Sequence, residues 1–455
     1  MKSARASLCA AALLLASPFA HAYTGAQNLE ATMTFEAKIE LDLGRAPTER
    51  EARAEVELQV KHLFGAMTNA ESPGVPKNDH RIEIVSILPA PKSRDRFEIA
   101  YRYAGTVLMK SDRREGFTLY LPTNPHTIAE DAVAENSAGT PNACTDEDDS
   151  GPEYFWYFWS PEREGCRLVE GRDYLKVTAT VAPKNEARDP VKDPTFPEYE
   201  RLAQTRGGKK VIPISVLIGK FESSASGKPL RSRDEGAQQF AKMRGQLLAM
   251  GFAESEITKK EIKAIAKLAK EHGELERANV GGYPFARLFS KETREGTMEV
   301  RLYYGDSSDQ GAKGFFILYQ DALQHDAVVI YDGHSGLGDY LSLANLKRDR
   351  GISPAADPSI YQIFYFNSCT SYAYYNDAYF RWKASATDPR GTKQLDIITN
   401  GLATGYTTQD TNMVLVKAVH AWATEGRRAN YTELANLLEL ENLTGVNGDE
   451  DNPRR

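Results

Sequence analysis

The sequence is poor in cysteine, in long apolar runs and in clustered positive charge. No strongly basic segment stands out and the net charge is −7, which argues against a nucleic-acid-binding protein. No apolar run approaches the roughly 18 residues that a transmembrane helix needs, so we expect no membrane span. What remains is an ordinary soluble composition, and the 455 residues are enough for more than one domain.

The first 22 residues have the pattern of a secretory signal peptide. Lys2 and Arg5 form a positive start, a short apolar segment follows, and Ala20-His21-Ala22 supplies a cleavage site. We therefore expect a cleaved signal peptide over 1–22 and an exported protein, periplasmic or secreted, that begins near Tyr23.

Three cysteines follow the predicted signal peptide, and an odd number in an oxidising compartment leaves one thiol over. Cys144 and Cys166 lie in one loop-rich region and are the natural disulfide pair. Cys369 is then the unpaired thiol. A lone cysteine is often only a small buried apolar residue, so its neighbours must decide whether it is reactive.

The region over 23–183 predicts an α+β domain with an antiparallel sheet, because extended patterns dominate it and strands precede and follow one helix. Strand patterns lie at 32–43, 80–88, 96–105, 115–122 and 173–183, and a helical pattern lies at 47–67. Residues 184–210, rich in proline, glycine and charge, read as a linker.

Strands and helices alternate over 211–445, which predicts an α/β domain with a mostly parallel sheet flanked by helices. A flexible tail is expected over 446–455. The strand patterns lie at 211–222, 296–305, 325–333, 360–368 and 394–405, and the helical patterns at 234–252, 253–274, 312–324, 337–346, 369–383 and 411–426.

Two consecutive predicted strands end in polar residues, YDGHSG at 331–336 and NSCTS at 367–371. Parallel strands share one carboxyl edge, so neighbouring strands would bring His334 and Cys369 together. An imidazole beside a thiol is the minimal arrangement of base and nucleophile. Cys369 also begins a predicted helix, whose N-terminus would lower the pKa of its thiol.

These two motifs resemble the catalytic core of the clan CD cysteine peptidases, which include caspases, metacaspases, legumains and gingipains. The resemblance covers residues 210–425 and implies a caspase-like fold and an endopeptidase that needs no cofactor and acts on peptides or proteins. His334 would be the base and Cys369 the nucleophile. The residues implied at the oxyanion are Ser335, Gly336 and Cys369, and those implied in the substrate cleft are Asp332, Asn367, Asn400 and Thr404.

Two positions depart from the family pattern: the first bears on the oxyanion hole, and the second leaves the cleavage specificity open. Ser335 stands where the family usually has glycine, and Asn367 stands where metacaspases have an acid that selects basic side chains. A catalytically degenerate, caspase-like peptide-binding protein is therefore one alternative. A second is a serine α/β-hydrolase using Ser335 with Asp396 and His420, although the G-x-S-x-G spacing fails by one residue.

Two further features lie between the paired cysteines. The aromatic run 154–159 is either packed under the domain, as a strand or hairpin, or an exposed recognition surface; packing is the commoner role of aromatic side chains. Asp146, Asp148 and Ser150 follow the first half of a Ca²⁺ loop, but its twelfth position is Tyr157 instead of glutamate, so an EF-hand is excluded. A looser Ca²⁺ site stays open beside a plain acidic loop.

Overall fold

The structure is a computed structural model. It describes residues 23–448 except 43, 91–94, 114, 136–138, 147–150, 152, 185–191, 223–228, 230–231, 272–283, 309–312 and 405–409. The predicted signal peptide and residues 449–455 lie outside the described residues. Two sheets organise the rest of the chain.

The first region contains six strands of a curled antiparallel sheet, as predicted, and short helices that pack on it. Its elements are β1 (Tyr23–Gly25), β2 (Asn28–Asp42), α1 (Glu49–Lys61), α2 (Leu63–Thr68), β3 (Gly74–Pro76), β4 (Arg81–Pro89), β5 (Arg96–Lys110), β6 (Phe117–Pro122), α3 (Ile128–Asp131), α4 (Phe155–Phe158) and β7 (Tyr174–Pro183). The sheet has the order β3-β5-β2-β7-β6, and β4 also pairs with β5. Val56 and Val60 of α1 bury against its apolar face.

The second region contains a larger sheet with helices on both faces. Its elements are a 3₁₀ helix (Tyr199–Leu202), β8 (Gln204–Arg206), β9 (Lys209–Gly219), α5 (Glu235–Ala249), β10 (Ala253–Glu256), α6 (Lys259–Glu271), β11 (Phe285–Glu292), β12 (Thr297–Gly305), α7 (Lys313–His325), β13 (Val328–Asp332), α8 (Leu343–Arg350), β14 (Gln362–Asn367), α9 (Ser371–Lys383), β15 (Leu395–Thr399), α10 (Thr411–Glu425), α11 (Tyr431–Leu438) and β16 (Gly445–Asn447).

The large sheet is mixed, which corrects the expectation of a mostly parallel sheet. Its order is β1-β16-β15-β14-β13-β9-β12-β11-β10, with β8 paired to β9. The five strands from β15 to β12 run parallel, while the strands at both ends are antiparallel. The central parallel strands β13 and β14 are largely apolar and buried along their whole length, because both of their faces are covered. Ile330 packs into the core on one face and Val329 into the core on the other.

Several predicted elements have different limits in the structure. The helix expected over 253–274 begins as β10, which pairs with β11, and becomes helical only at α6. The helix expected over 337–346 begins at α8, after a turn that contains the left-handed residues Leu337 and Gly338. The aromatic run forms α4 instead of a strand or hairpin. Among the described residues, no helix has the length and apolar character to cross a bilayer.

Residues at both ends of the α/β region are buried, although the sequence predicted a linker over 184–210 and a flexible tail over 446–455. In the segment 184–210, Tyr199 and Leu202 are fully buried in the core beneath the large sheet. Val446, at the start of the expected tail, is buried in β16. Strand β1 pairs with β16, so the first three described residues belong to the large sheet. The division into domains stays a prediction.

Candidate active site

Strands β13 and β14, which carry the two motifs, are parallel neighbours, and this adjacency is the condition on which the sequence argument depended. Asp332 and Asn367, the last residues of these strands, are paired in register, and Asn367 Nδ2 donates to Asp332 Oδ1 over 3.1 Å. His334 and Cys369 each follow two residues later. The structure therefore places both candidate catalytic residues at equivalent positions beyond the carboxyl ends of β13 and β14, and both side chains are partly exposed there.

The loop that follows β13 holds His334 through its backbone and its ring. The Tyr331 hydroxyl donates to the His334 carbonyl oxygen over 2.6 Å. Nε2 of His334 lies 3.2 Å from the carbonyl oxygen of Phe221, and the two rings are 5.0 Å apart. A carbonyl oxygen only accepts, so Nε2 carries the proton. In the neutral imidazole Nδ1 then has the lone pair, which makes it the basic nitrogen.

Asp234, the N-cap of α5, fixes the segment that contacts His334. One carboxylate oxygen accepts the backbone N–H groups of Phe221 and Glu222, both at 2.9 Å. The other accepts the backbone N–H of Ala237 at 3.1 Å and the hydroxyl of Tyr304 at 2.9 Å. Asp234 is buried, and its contacts tie the end of β9 to the start of α5. The carbonyl of Phe221 is consequently held in one place.

Cys369 is the free cysteine of the described residues, and its environment differs from the expected one. Helix α9 begins at Ser371, after Thr370, whose backbone is left-handed with φ 52°. The sulfur lies 3.5 Å from the carbonyl oxygen of Thr404. Burial raises the pKa of the Cys369 thiol, so the expectation of a lowered pKa is wrong. The resting side chain is a neutral thiol.

The residues that the resemblance placed in the substrate cleft form a buried hydrogen-bond network. Asn367 Oδ1 accepts from Asn400 Nδ2 at 3.1 Å and from Thr404 Oγ1 at 3.4 Å. Asn412 Nδ2 donates to Asp332 Oδ2 over 2.6 Å. Asp332, Asn367 and Asn400 are all buried, and Thr404 is half-buried. Three of the four residues therefore support the edge of the sheet, and Thr404 alone has substantial exposure.

Asp332 is the acid of this network. Burial raises the pKa of its carboxyl to about 7, although the hydrogen bond from Asn412 favours the charged form. A carboxyl with this pKa can carry a proton in the neutral range, and it lies two residues before His334.

Two of the three residues expected at the oxyanion, Ser335 and Gly336, lie in the turn after His334, and the third, Cys369, follows β14. Ser335 is buried, and its carbonyl oxygen accepts from the Tyr375 hydroxyl at 3.1 Å and from the backbone N–H of Gly338 at 3.0 Å. Gly336 has φ 56°, and a Cβ at this position would lie 2.2 Å from the ring of Tyr340. Only glycine therefore fits there without a shift of the neighbouring ring.

The partners named for Ser335 in the hydrolase alternative lie elsewhere. Asp396 lies near the start of β15 and pairs in register with Ile363, four residues before Asn367. It therefore lies near the amino ends of the parallel strands, away from His334, and the Tyr431 hydroxyl donates to it over 2.5 Å. His420 lies in α10, with its Nε2 at 2.8 Å from the Lys291 ammonium.

The expected disulfide is present, whereas the acidic loop is described only in part. Cys144 and Cys166 form a disulfide with an S–S distance of 1.94 Å. Asp146 is paired with Arg163 over 2.7 Å at the surface, while Asp148 and Ser150 lie outside the described residues. Among the described side chains, no cluster of three potential metal ligands was found.

One contact to the site comes from the first region of the chain, and no pattern in the sequence predicted it. The Tyr157 hydroxyl, in α4, is hydrogen-bonded to the hydroxyl of Thr370. Phe64 of α2 stacks on Tyr157, with ring centroids 5.0 Å apart, and also on Tyr374 of α9 at 6.4 Å. Burial and the nearby Cys369 sulfur raise the pKa of Tyr157 to about 12.

Comparison with known proteins adds no family. No family model, no curated protein and no solved structure matches this chain. What the structure establishes is a mixed α/β architecture with a curled antiparallel sheet beside it, and a histidine and a cysteine that directly follow the carboxyl ends of two adjacent strands of the large sheet.

Proposed function

We propose that the chain is a cysteine endopeptidase with a caspase-like α/β domain, exported from the cell, in which His334 and Cys369 form the catalytic dyad. One observation carries the proposal: β13 and β14 are parallel neighbours in register, and each ends two residues before one member of the dyad. The proposed substrate is a peptide or protein.

The neutral thiol and the inferred tautomer of His334 define the order of events. As the Cys369 sulfur attacks the carbonyl carbon of the scissile peptide, its proton passes to Nδ1 of His334. The carbonyl oxygen becomes an oxyanion beside the backbone N–H groups of the turn at Ser335 and Gly336 and that of Cys369. The C–N bond then breaks, and the imidazolium protonates the departing amine. Water, deprotonated by His334, hydrolyses the thioester and restores the thiol.

Three single variants test this proposal on a mixed peptide library. Cys369→Ala removes the nucleophile and His334→Ala removes the base, so each should abolish cleavage. Ser335→Ala keeps the backbone N–H and should retain most of the activity. Mass spectrometry of the products measures peptide cleavage by all three variants.

The same set separates the alternatives. Cleavage that survives Cys369→Ala but is lost in Ser335→Ala would replace the dyad with a serine hydrolase. Absence of cleavage by the wild type, with peptide bound at the same edge of the sheet, would indicate a degenerate binding protein.

A further inference from the structure

The loop closed by the disulfide reaches the residue that follows the candidate nucleophile. Tyr157, within the loop 144–166, is hydrogen-bonded through its hydroxyl to the Thr370 hydroxyl. The two residues are 213 positions apart in the chain. Tyr157 is half-buried, whereas Thr370 is fully buried and directly follows Cys369.

Thr370 has an unusual backbone that needs outside support. Its φ of 52° is left-handed, and a β-branched residue rarely adopts this conformation. Such a conformation persists only where the surroundings hold it. The Thr370 N–H donates to the Leu402 carbonyl oxygen over 3.1 Å, its carbonyl oxygen accepts from the Ala373 N–H over 3.0 Å, and its hydroxyl is hydrogen-bonded to Tyr157.

We propose that Tyr157 is a positioning residue of the candidate active site, holding Thr370 in its left-handed conformation and thereby fixing the direction of the Cys369 side chain. Its catalytic meaning rests on the proposed function, but the coupling of Tyr157 to the thiol does not. The first region of the chain then completes the site.

The disulfide is connected to the helix that carries Tyr157. The backbone N–H of Ser160 donates to the carbonyl oxygen of Cys144 over 2.9 Å, which ties the end of α4 to the bridge. Trp159 is fully buried, and its indole N–H donates to the His62 carbonyl oxygen over 2.7 Å. Loss of the bridge should therefore loosen the contact between Tyr157 and Thr370.

A double-mutant cycle on Tyr157→Phe and Thr370→Ala tests the coupling. Each variant loses the same hydrogen bond, so each should raise the rate of Cys369 alkylation by iodoacetamide at fixed pH about fivefold. The double variant should match the single variants, because the bond can be lost only once. In the cleavage assay kcat should fall by a similar factor with KM unchanged.

Matched variants separate positioning from general destabilisation. Thr370→Ser keeps the hydroxyl and should restore the wild-type rates. Tyr154→Phe changes a neighbouring exposed tyrosine and should have no effect. The double variant Cys144→Ala/Cys166→Ala should behave like Tyr157→Phe, and Cys369→Ala supplies the alkylation blank.

Two results would overturn the inference: alkylation unchanged in Tyr157→Phe, or effects of the two single variants that add in the double variant. A wild type that cuts no peptide, but whose alkylation shows the coupling, would remove the proposed function and leave the positioning role intact.

Discussion

At the scale of single residues, burial sets the protonation of the site. It raises the pKa of Cys369, so the thiolate fraction at pH 7 should be smaller than that of an unburied cysteine. We expect alkylation by iodoacetamide to be slow at pH 7 and to accelerate with rising pH beyond the ordinary thiol pKa of about 8.5. The protein unfolded in denaturant is the control, and a rate that is already constant below pH 7 would contradict the prediction.

Burial of Asp332 makes the stability of the protein depend on pH. Its folded pKa of about 7 lies above the ordinary value, so between these values the folded protein binds more protons than the unfolded chain. The stabilisation that protonated Asp332 contributes is therefore present at low pH and is lost as pH rises through 7. The free energy of unfolding should fall by about 3 kcal/mol between pH 5 and pH 8. Asp332→Asn should flatten this pH dependence in denaturant unfolding, whereas Asp339→Asn, at an exposed position, should not.

At the scale of elements, the N-cap of α5 links helix stability to the orientation of His334. Asp234→Ala should lower the free energy of unfolding by about 1 kcal/mol through the lost cap. It should also reduce peptide cleavage, because the Phe221 carbonyl that orients His334 loses its support. Thr48→Ala removes the cap of α1, away from the site, and serves as the matched control. Equal cleavage by both variants would show that Asp234 acts only as a cap.

At the largest scale, an ion-pair cluster around the buried Lys77 joins the antiparallel sheet to helix α9. Lys77, next to β3, lies 3.0 Å from Asp377 of α9 and 3.9 Å from Glu30 of β2. Burial by itself lowers the pKa of Lys77, but Glu30 and Asp377 outweigh it and raise the pKa. Tyr372 of α9 also donates to Glu30 over 2.8 Å.

Removing one partner of this cluster leaves buried charge unpaired. Lys77→Met should lower the free energy of unfolding by about 3 kcal/mol. Lys77→Met/Glu30→Gln should be less destabilised than Lys77→Met, because the remaining charge is reduced. Thermal unfolding measures the stability of both variants. A double variant less stable than Lys77→Met would contradict this account.

The sequence predicted the strongly apolar strands, but it missed β11, α11 and several short strands. Strands with strong apolar runs, such as β13 and β14, lie where the pattern placed them, because burial on both faces demands such runs. The pattern missed β10 because its four residues are polar and edge pairing leaves them largely exposed. It also missed β1 and β16, each only three residues long, because they are strands through tertiary pairing: β16 pairs with both β1 and β15.

Local order and spacing were enough to predict two strands that end just before His334 and Cys369, and to pair Cys144 with Cys166. The other features of the site depend on tertiary contacts. The tertiary structure buried Asp332, Asn367 and Asn400, raised the pKa of Cys369, and brought Phe221 to His334 and Tyr157 to Thr370. Burial, protonation and long-range contacts sum over residues far apart in the chain, and no local pattern records that sum.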